Sequence, residues 1–266
     1  MYNAKELQLQ IENVEMDYIT FGNGPKQLIM IQGLNTNGIK GTASALAFMY
    51  RIFAKEYKVY LFDRRKNLPE NVTVRELAAD VALAMDALGL KNADVFGVSQ
   101  GGMIAQYLAI DRPDLVNRMV LAVTLSKNNE VVGRVIANWI RMTEQGEFKE
   151  LVLDMAFKMY SDSYIKRYRP FLPLLTVVQK PRDVGRFLTL TRACLTCNAY
   201  EELDKITCPV LVLGGRRDKV VGETACEEIA GKLGCEVYLY DTLGHAAYEE
   251  AKDFNQRVYG FLMKGI

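Results

Sequence analysis

Ser99 stands in Gly97-Val98-Ser99-Gln100-Gly101-Gly102, after the apolar run Asp94–Val98 and at the head of a helical pattern, Gly101–Ile110. A G-x-S-x-G stretch between strand and helix forces a sharp turn that leaves the hydroxyl exposed above a helix N-terminus. Glycine is required two positions to either side, because side chains there would collide with the adjoining strand and helix. The spacing is not that of a phosphate cradle: it is not G-x-G-x-x-G, and Gly33 to Gly38 is followed by Ile39 instead of a P-loop lysine. A serine so placed attacks a carbonyl only if a neighbouring base takes its proton and a third group orients that base. The chain has one histidine, His245, in Leu243-Gly244-His245-Ala246, between the last strand-like run and the final helical pattern. Asp218, in Gly214-Gly-Arg-Arg-Asp218-Lys-Val-Val221, follows the run Val210–Leu213 by a short loop and is the candidate acid. Asp63 and Asp241 end strand-like runs too, but the expected order along the chain is serine, acid, histidine. Asp218 also has a plainer reading as a turn residue or a partner of Arg216 or Arg217.

Acyl transfer further needs two backbone N–H groups aimed at the developing oxyanion, worth about 3–4 kcal/mol each in the transition state. One is expected from Gln100, the other from Leu34 in the loop Gln32–Gly38. Asn35, Thr36 and Asn37 extend that loop and either face substrate or form its turn. Trp139, Met142, Met155 and Val220 are candidate contacts to substrate, although Met and aromatic stripes on helices serve equally as plain core.

Alternating strand and helix patterns position these residues. Leu7-Leu9-Ile11 and Val14-Met16-Tyr18 read as an antiparallel hairpin at a sheet edge, and Leu28–Ile31 as a strand buried on both faces. There follow a helix over Thr42–Lys55, a strand at Val59–Phe62, and a helix capped by Thr73 with Glu76 that buries Leu77, Val81, Met85 and Leu88. Met119–Val123, Val210–Leu213 and Glu236–Tyr240 are further strands, with helices over Glu223–Leu233 and Glu249–Lys264. Such repetition predicts an α/β fold: a doubly wound, mostly parallel sheet of about eight strands. Between Ser126 and Asp204 no strand-like run occurs. That segment reads as amphipathic helices broken at Pro170, Pro173 and Pro181, unable to join the sheet and so lying over one end as a lid. The expected division is 1–125 core, 126–204 helical cap, 205–266 core again.

Lys+Arg number 33 against 32 Asp+Glu, a formal charge of +1 that gives no reason to expect nucleic acid or an anionic membrane as partner. The basic residues of the helical segment, Lys166, Arg167, Arg169, Lys180, Arg182 and Arg186, fall on polar faces where solvation accounts for most of them. Without an apolar leader or a run of membrane-spanning length, the chain is expected to stay in the cytoplasm. Five cysteines (Cys194, Cys197, Cys208, Cys226, Cys235) are an odd number and read as reduced, mostly buried thiols; Cys194-x-x-Cys197 lies in a helical pattern with no strand before it. A second imidazole is lacking, so a His/Cys zinc site is not expected.

The serine turn, the acid loop, the terminal histidine and the helical insertion together resemble the capped α/β-hydrolase family, nearest its lactonase, esterase and small-acid C–C hydrolase branches. Two positions depart from the family pattern. Gln32-Gly33 stands where the family often has His-Gly, and Asp63-Arg-Arg-Lys-Asn67-Leu-Pro replaces a Gly-rich loop, which implies altered substrate access. The resemblance implies a serine hydrolase cleaving an ester, thioester or lactone of a small molecule through an acyl-enzyme, with no metal or organic cofactor. Its rate should fall as His245 protonates. A C–C hydrolase or lyase using the same groups, a small-molecule receptor or signalling protein with slow turnover, and a non-catalytic scaffold are the alternatives.

Overall fold

A computed structural model of the chain describes residues 2–264. Eight strands form one sheet: β1 (Lys5–Ile11), β2 (Val14–Phe21), β3 (Lys26–Ile31), β4 (Tyr57–Phe62), β5 (Ala93–Val98), β6 (Val116–Ala122), β7 (Val210–Gly215) and β8 (Glu236–Tyr240). Their order is β1-β2-β4-β3-β5-β6-β7-β8. β2 pairs antiparallel with both β1 and β4, and every other pairing is parallel, because each crossover through a helix returns the chain to the same end of the sheet. β5 lies between β3 and β6 and is buried along its whole length, and it is apolar apart from Asp94, which accepts Tyr57 Oη at 2.7 Å and Asn117 Nδ2 at 2.8 Å.

Helices cover both faces. On one side, α2 (Val74–Ala87) and α3 (Gln100–Asp111) pack Leu77, Val81, Met85, Ile104 and Leu108 into a single apolar layer with α9 (Ala225–Leu233). On the other, α1 (Ala43–Met49), α10 (Ala247–Glu250) and α11 (Phe254–Leu262) enclose Phe53, Tyr57, Phe254 and Phe261. The capping box at Thr73 and Glu76 opens α2 as the sequence predicts, whereas Leu88 is its half-buried C-cap.

Two helices are shorter than their patterns. The Thr42–Lys55 stretch divides at Tyr50 into α1 and a 3₁₀ turn, Arg51–Phe53, which drives Phe53 fully into the core. The Glu249–Lys264 stretch breaks between α10 and α11, where Asp253 accepts the Tyr240 hydroxyl at 3.0 Å and Arg257 Nε at 2.7 Å.

Between β6 and β7 lie α4 (Glu130–Glu144), α5 (Phe148–Met159), α6 (Asp162–Tyr168), α7 (Leu172–Val178) and α8 (Val184–Ala193). The chain leaves and rejoins the sheet region at one place: Ser126 O accepts the Ala199 N–H at 2.6 Å, and Lys127 bridges Asn198. Pro170 and Pro181 follow the ends of α6 and α7, as the sequence predicts, whereas Pro173 does not break a helix. Pro170 lies within a 3₁₀ turn and Pro173 in the first turn of α7, where a missing N–H costs nothing. Arg186 is not a solvated charge: it donates to the Arg65 and Arg64 carbonyls at 2.5 and 3.0 Å and pairs with Asp63 at 3.3 Å, tying α8 to the loop after β4. Burial pushes the Cys194 thiol up to about 11 and those of Cys197 and Cys226 to about 12, which keeps them protonated and unreactive at neutral pH. Among the described residues no helix is long and apolar enough to cross a membrane.

Candidate active site

The turn from β5 into α3 holds Ser99 at φ 53°, ψ −120°, a backbone conformation that costs a non-glycine residue about 1–3 kcal/mol. The surroundings enforce it. Ser99 N donates to Ala122 O at 2.8 Å, and Ser99 O accepts Gly102 N at 2.8 Å and Thr124 Oγ1 at 2.7 Å. A Cβ on Gly101 would stand 2.0 Å from Ile31 O, and one on Gly97 would stand 2.5 Å from Gly101 O. Both neighbours are backbone and cannot rotate away. Gly101→Ala is therefore expected to lower stability by about 3 kcal/mol or more, read as the shift of a urea unfolding midpoint. An unchanged midpoint would mean that the elbow has room to spare.

His245 lies in the loop after β8 and is 3% exposed. Its Nε2 is 2.9 Å from Ser99 Oγ and its Nδ1 is 2.8 Å from Asp218 Oδ2. The other Asp218 oxygen accepts the backbone N–H groups of Val220 and Val221 at 2.8 and 3.0 Å, so the carboxylate is fixed and Oδ2 is left for the imidazole. The acid and histidine loops also touch directly, Arg217 N donating to Leu243 O at 3.0 Å. The competing acids are engaged elsewhere. Asp63 binds Arg186, while Asp241, 84% exposed along its side chain, pairs with Arg216. With Glu227 as its second partner, Arg216 takes no part in holding Asp218.

The loop after β3 passes directly over the serine, since a Cβ on Gly33 would lie 3.7 Å from Ser99 Oγ. Neither the Leu34 nor the Gln100 N–H donates to another backbone group among the described residues. Asn35 Oδ1 closes the turn by accepting Gly38 N at 2.8 Å. Thr36 and Asn37 reach the helical segment instead: Thr36 Oγ1 donates to Gln179 Oε1 at 3.1 Å and Asn37 Nδ2 to Val178 O at 3.2 Å. One participant was not visible in the sequence. Arg64, 4% exposed, donates from Nη2 to Gln32 O at 2.5 Å, to Gly33 O at 3.3 Å and to Gln100 Oε1 at 2.9 Å. Gln100 Nε2 in turn donates to Leu190 O at 2.7 Å. Burial pushes the Arg64 guanidinium down to about 10, which leaves it charged at neutral pH.

Two compartments meet here. A space of about 40 Å³ is bordered by Ser99, His245, Trp139, Met155 and Val220, and a larger one of about 260 Å³ by Asn35, Tyr50, Phe96, Met155 and Leu175 among others. They share Gly33, Leu34, Met155, Met159 and Tyr248. Met142, expected at the substrate, borders neither. It sits three residues past Trp139 on α4, half-buried against the apolar layer, with Asn138 Nδ2 3.8 Å from its sulfur. The Arg64–Arg65 loop borders neither compartment, so its departure from a Gly-rich form bears on the wall behind the serine and not on substrate access.

A family profile described as alpha/beta hydrolase fold matches residues 27–188. The chain belongs to the α/β-hydrolase family. Similar proteins include 3-oxoadipate enol-lactonase 2 of Acinetobacter baylyi, 26% identical over 232 residues that cover 83% of this chain and 84% of that one. A Pseudomonas sp enzyme named 2-hydroxy-6-oxononadienedioate/2-hydroxy-6-oxononatrienedioate hydrolase is 25% identical over 256 residues, 91% of this chain and 90% of that one. Among solved structures, the enol-lactonase from Burkholderia xenovorans LB400 superposes with a TM-score of 0.84 at 20% identity, covering 96% of this chain and 99% of that one. MGS-M2, an alpha/beta hydrolase enzyme from a Medee basin deep-sea metagenome library, gives a TM-score of 0.87 at 19% identity over 96% and 97% of the two chains. The structural likenesses speak to fold, and the curated relatives to hydrolysis: the chain is a hydrolase.

Proposed function

We propose that this α/β-hydrolase is a serine hydrolase that cleaves an ester-like bond (ester, thioester or lactone) of a small molecule through Ser99, His245 and Asp218. The observation that carries the reading is the continuous line from Asp218 Oδ2 to His245 Nδ1 at 2.8 Å and from His245 Nε2 to Ser99 Oγ at 2.9 Å. His245 takes the Ser99 proton as Oγ attacks the acyl carbon, and Asp218 stabilises the imidazolium that forms. The N–H groups of Leu34 and Gln100 hold the tetrahedral oxyanion, aided by the positive end of α3. The imidazolium then gives its proton to the leaving oxygen or sulfur. Water, deprotonated by His245, attacks the acyl-enzyme, and Ser99 recovers its proton.

Residues 126–204 act as a cap in this reading, contributing Trp139, Met155, Met159 and Leu175 to the roof of the two compartments. The lining of both compartments contains no lysine or arginine, and Glu249 borders the larger one. A free carboxylate on the substrate would meet no counter-charge there, which favours a neutral, largely apolar acyl group.

A fluorophosphonate reagent tests the assignment by trapping the nucleophile. Peptide mass spectrometry is expected to find the adduct on Ser99 alone, and Ser99→Ala to abolish labelling. An adduct on another residue, or labelling that survives the substitution, removes the proposed nucleophile.

A further inference from the structure

The roof over the larger compartment is apolar on two sides, and only the inner side is used. Leu175 and Gln179 face the compartment. Tyr168, Phe171, Leu174, Val177 and Val178 follow one another at helical spacing along α6, the 3₁₀ turn Arg169–Phe171 and α7, and are 37, 61, 61, 73 and 53% exposed. A helix apolar all round is ordinarily enclosed, and a contiguous exposed apolar ridge marks a surface that meets an apolar partner.

The charges along this stretch are mainly basic, with Asp162 and Asp183 at its two ends and Glu249 hydrogen-bonded to Tyr160. From Ser163 to Arg182 the chain carries Lys166, Arg167, Arg169, Lys180 and Arg182 and not one carboxylate. None of the five forms an ion pair among the described residues; to either side, Asp162 lies 3.9 Å from Lys219 and Arg186 pairs with Asp63. The net charge of +1 conceals this patch, because the remainder of the chain is net acidic.

We propose that the α6–α7 ridge is a docking surface for an anionic lipid bilayer. Its exposed apolar side chains would sit among the headgroups, and the five cations would face anionic lipid. A second copy of the chain fits less well, because a twofold contact would press five unpaired cations against five others. Tyr164, Tyr168, Phe171 and Leu174 line a groove on the outer side, and Ala156, Tyr160 and Leu175 border both it and the inner compartment. An apolar molecule leaving the bilayer at this point therefore arrives beside the catalytic space. The near-neutral charge gave no sequence-level reason to expect a membrane partner; five cations without ion pairs along the segment that carries the ridge supply one.

The test is co-sedimentation of the full chain with vesicles of phosphatidylcholine alone or mixed with phosphatidylserine. Binding to the mixed vesicles is expected to exceed that to phosphatidylcholine by about tenfold or more and to weaken with added salt. Leu174→Asp with Val177→Asp should remove it, and Arg167→Glu with Arg169→Glu should reduce it by about tenfold. All four positions are exposed, so melting curves should match the wild type. Ser99→Ala should bind as the wild type does, which separates this proposal from the catalytic one. Failure to bind mixed vesicles overturns it, as does binding that the Leu174 and Val177 substitutions leave intact. A wild-type dimer that those substitutions dissociate, without lipid binding, assigns the ridge to a second copy instead.

Discussion

Alanine at Ser99 is expected to lower kcat by roughly 10⁶-fold on a short-chain ester, with KM changed by no more than a few-fold. The reason lies in how the three side chains act together in the proposed mechanism. Ser99 Oγ has no reactivity of its own at neutral pH, and its activation depends on the 2.9 Å contact to His245. His245→Ala should therefore cost about as much as Ser99→Ala, and the double variant should be no slower than either. Asp218→Asn keeps the shape but lets the side-chain amide donate to Nδ1, which favours the wrong imidazole tautomer and should cost about 10⁴-fold. Stability should be little changed by Ser99→Ala, because the backbone of that residue, not its hydroxyl, makes the bonds to Ala122, Gly102 and Thr124. Steady-state kinetics of the four variants measure this. Additive losses in the double variant, or more than about one per cent of wild-type kcat in Ser99→Ala, would contradict a cooperating triad.

The strands were legible because a parallel sheet covered on both faces needs continuous apolar runs, and each such run in the chain became a strand. The convergence of three residues, the proposed triad, was legible for a different reason. Ser99, Asp218 and His245 each follow a strand at its carboxyl end, and parallel pairing brings those ends to one rim. Helix ends were less so. The breaks at Tyr50 and at Ala251–Asp253 depend on Phe53 finding the core and on Asp253 finding Tyr240 and Arg257, contacts between segments far apart in sequence. The surroundings of Ser99 were hidden in the same way. Asp63-Arg64-Arg65-Lys66 has the composition of a solvated turn, and periodicity cannot show that the first arginine folds inward while the second pairs with Asp80 at 2.6 Å. The available signal was positional: Arg64 follows β4 at the same rim as the serine. Tyr50, Met159 and Tyr248, which border the compartments, sit in patterns that serve equally as core.

Replacing Arg64 with methionine is expected to lower kcat by about 10²-fold while leaving KM nearly unchanged. The two proposed oxyanion donors come from separate loops, and one nitrogen joins those loops. Arg64 Nη2 binds the carbonyls of Gln32 and Gly33, which precede Leu34, and the side chain of Gln100. Losing that nitrogen leaves three acceptors, one buried and two partly buried, without their donor and lets the two N–H groups move relative to each other. An interaction that matters most for a charge present only in the transition state shows in kcat and not in KM. The cost to folding is offset, because Arg64 Nε and Nη1 are themselves buried without partners and disappear with the substitution. Arg64→Lys keeps the charge but not the planar fork, and should recover about tenfold of the loss. Affinity for an alkyl boronic acid, which mimics the tetrahedral adduct, should fall in step with kcat across the series. A variant that melts early at unchanged kcat, or whose loss appears wholly in KM, would show that Arg64 supports the fold or the ground state and does not position the oxyanion donors.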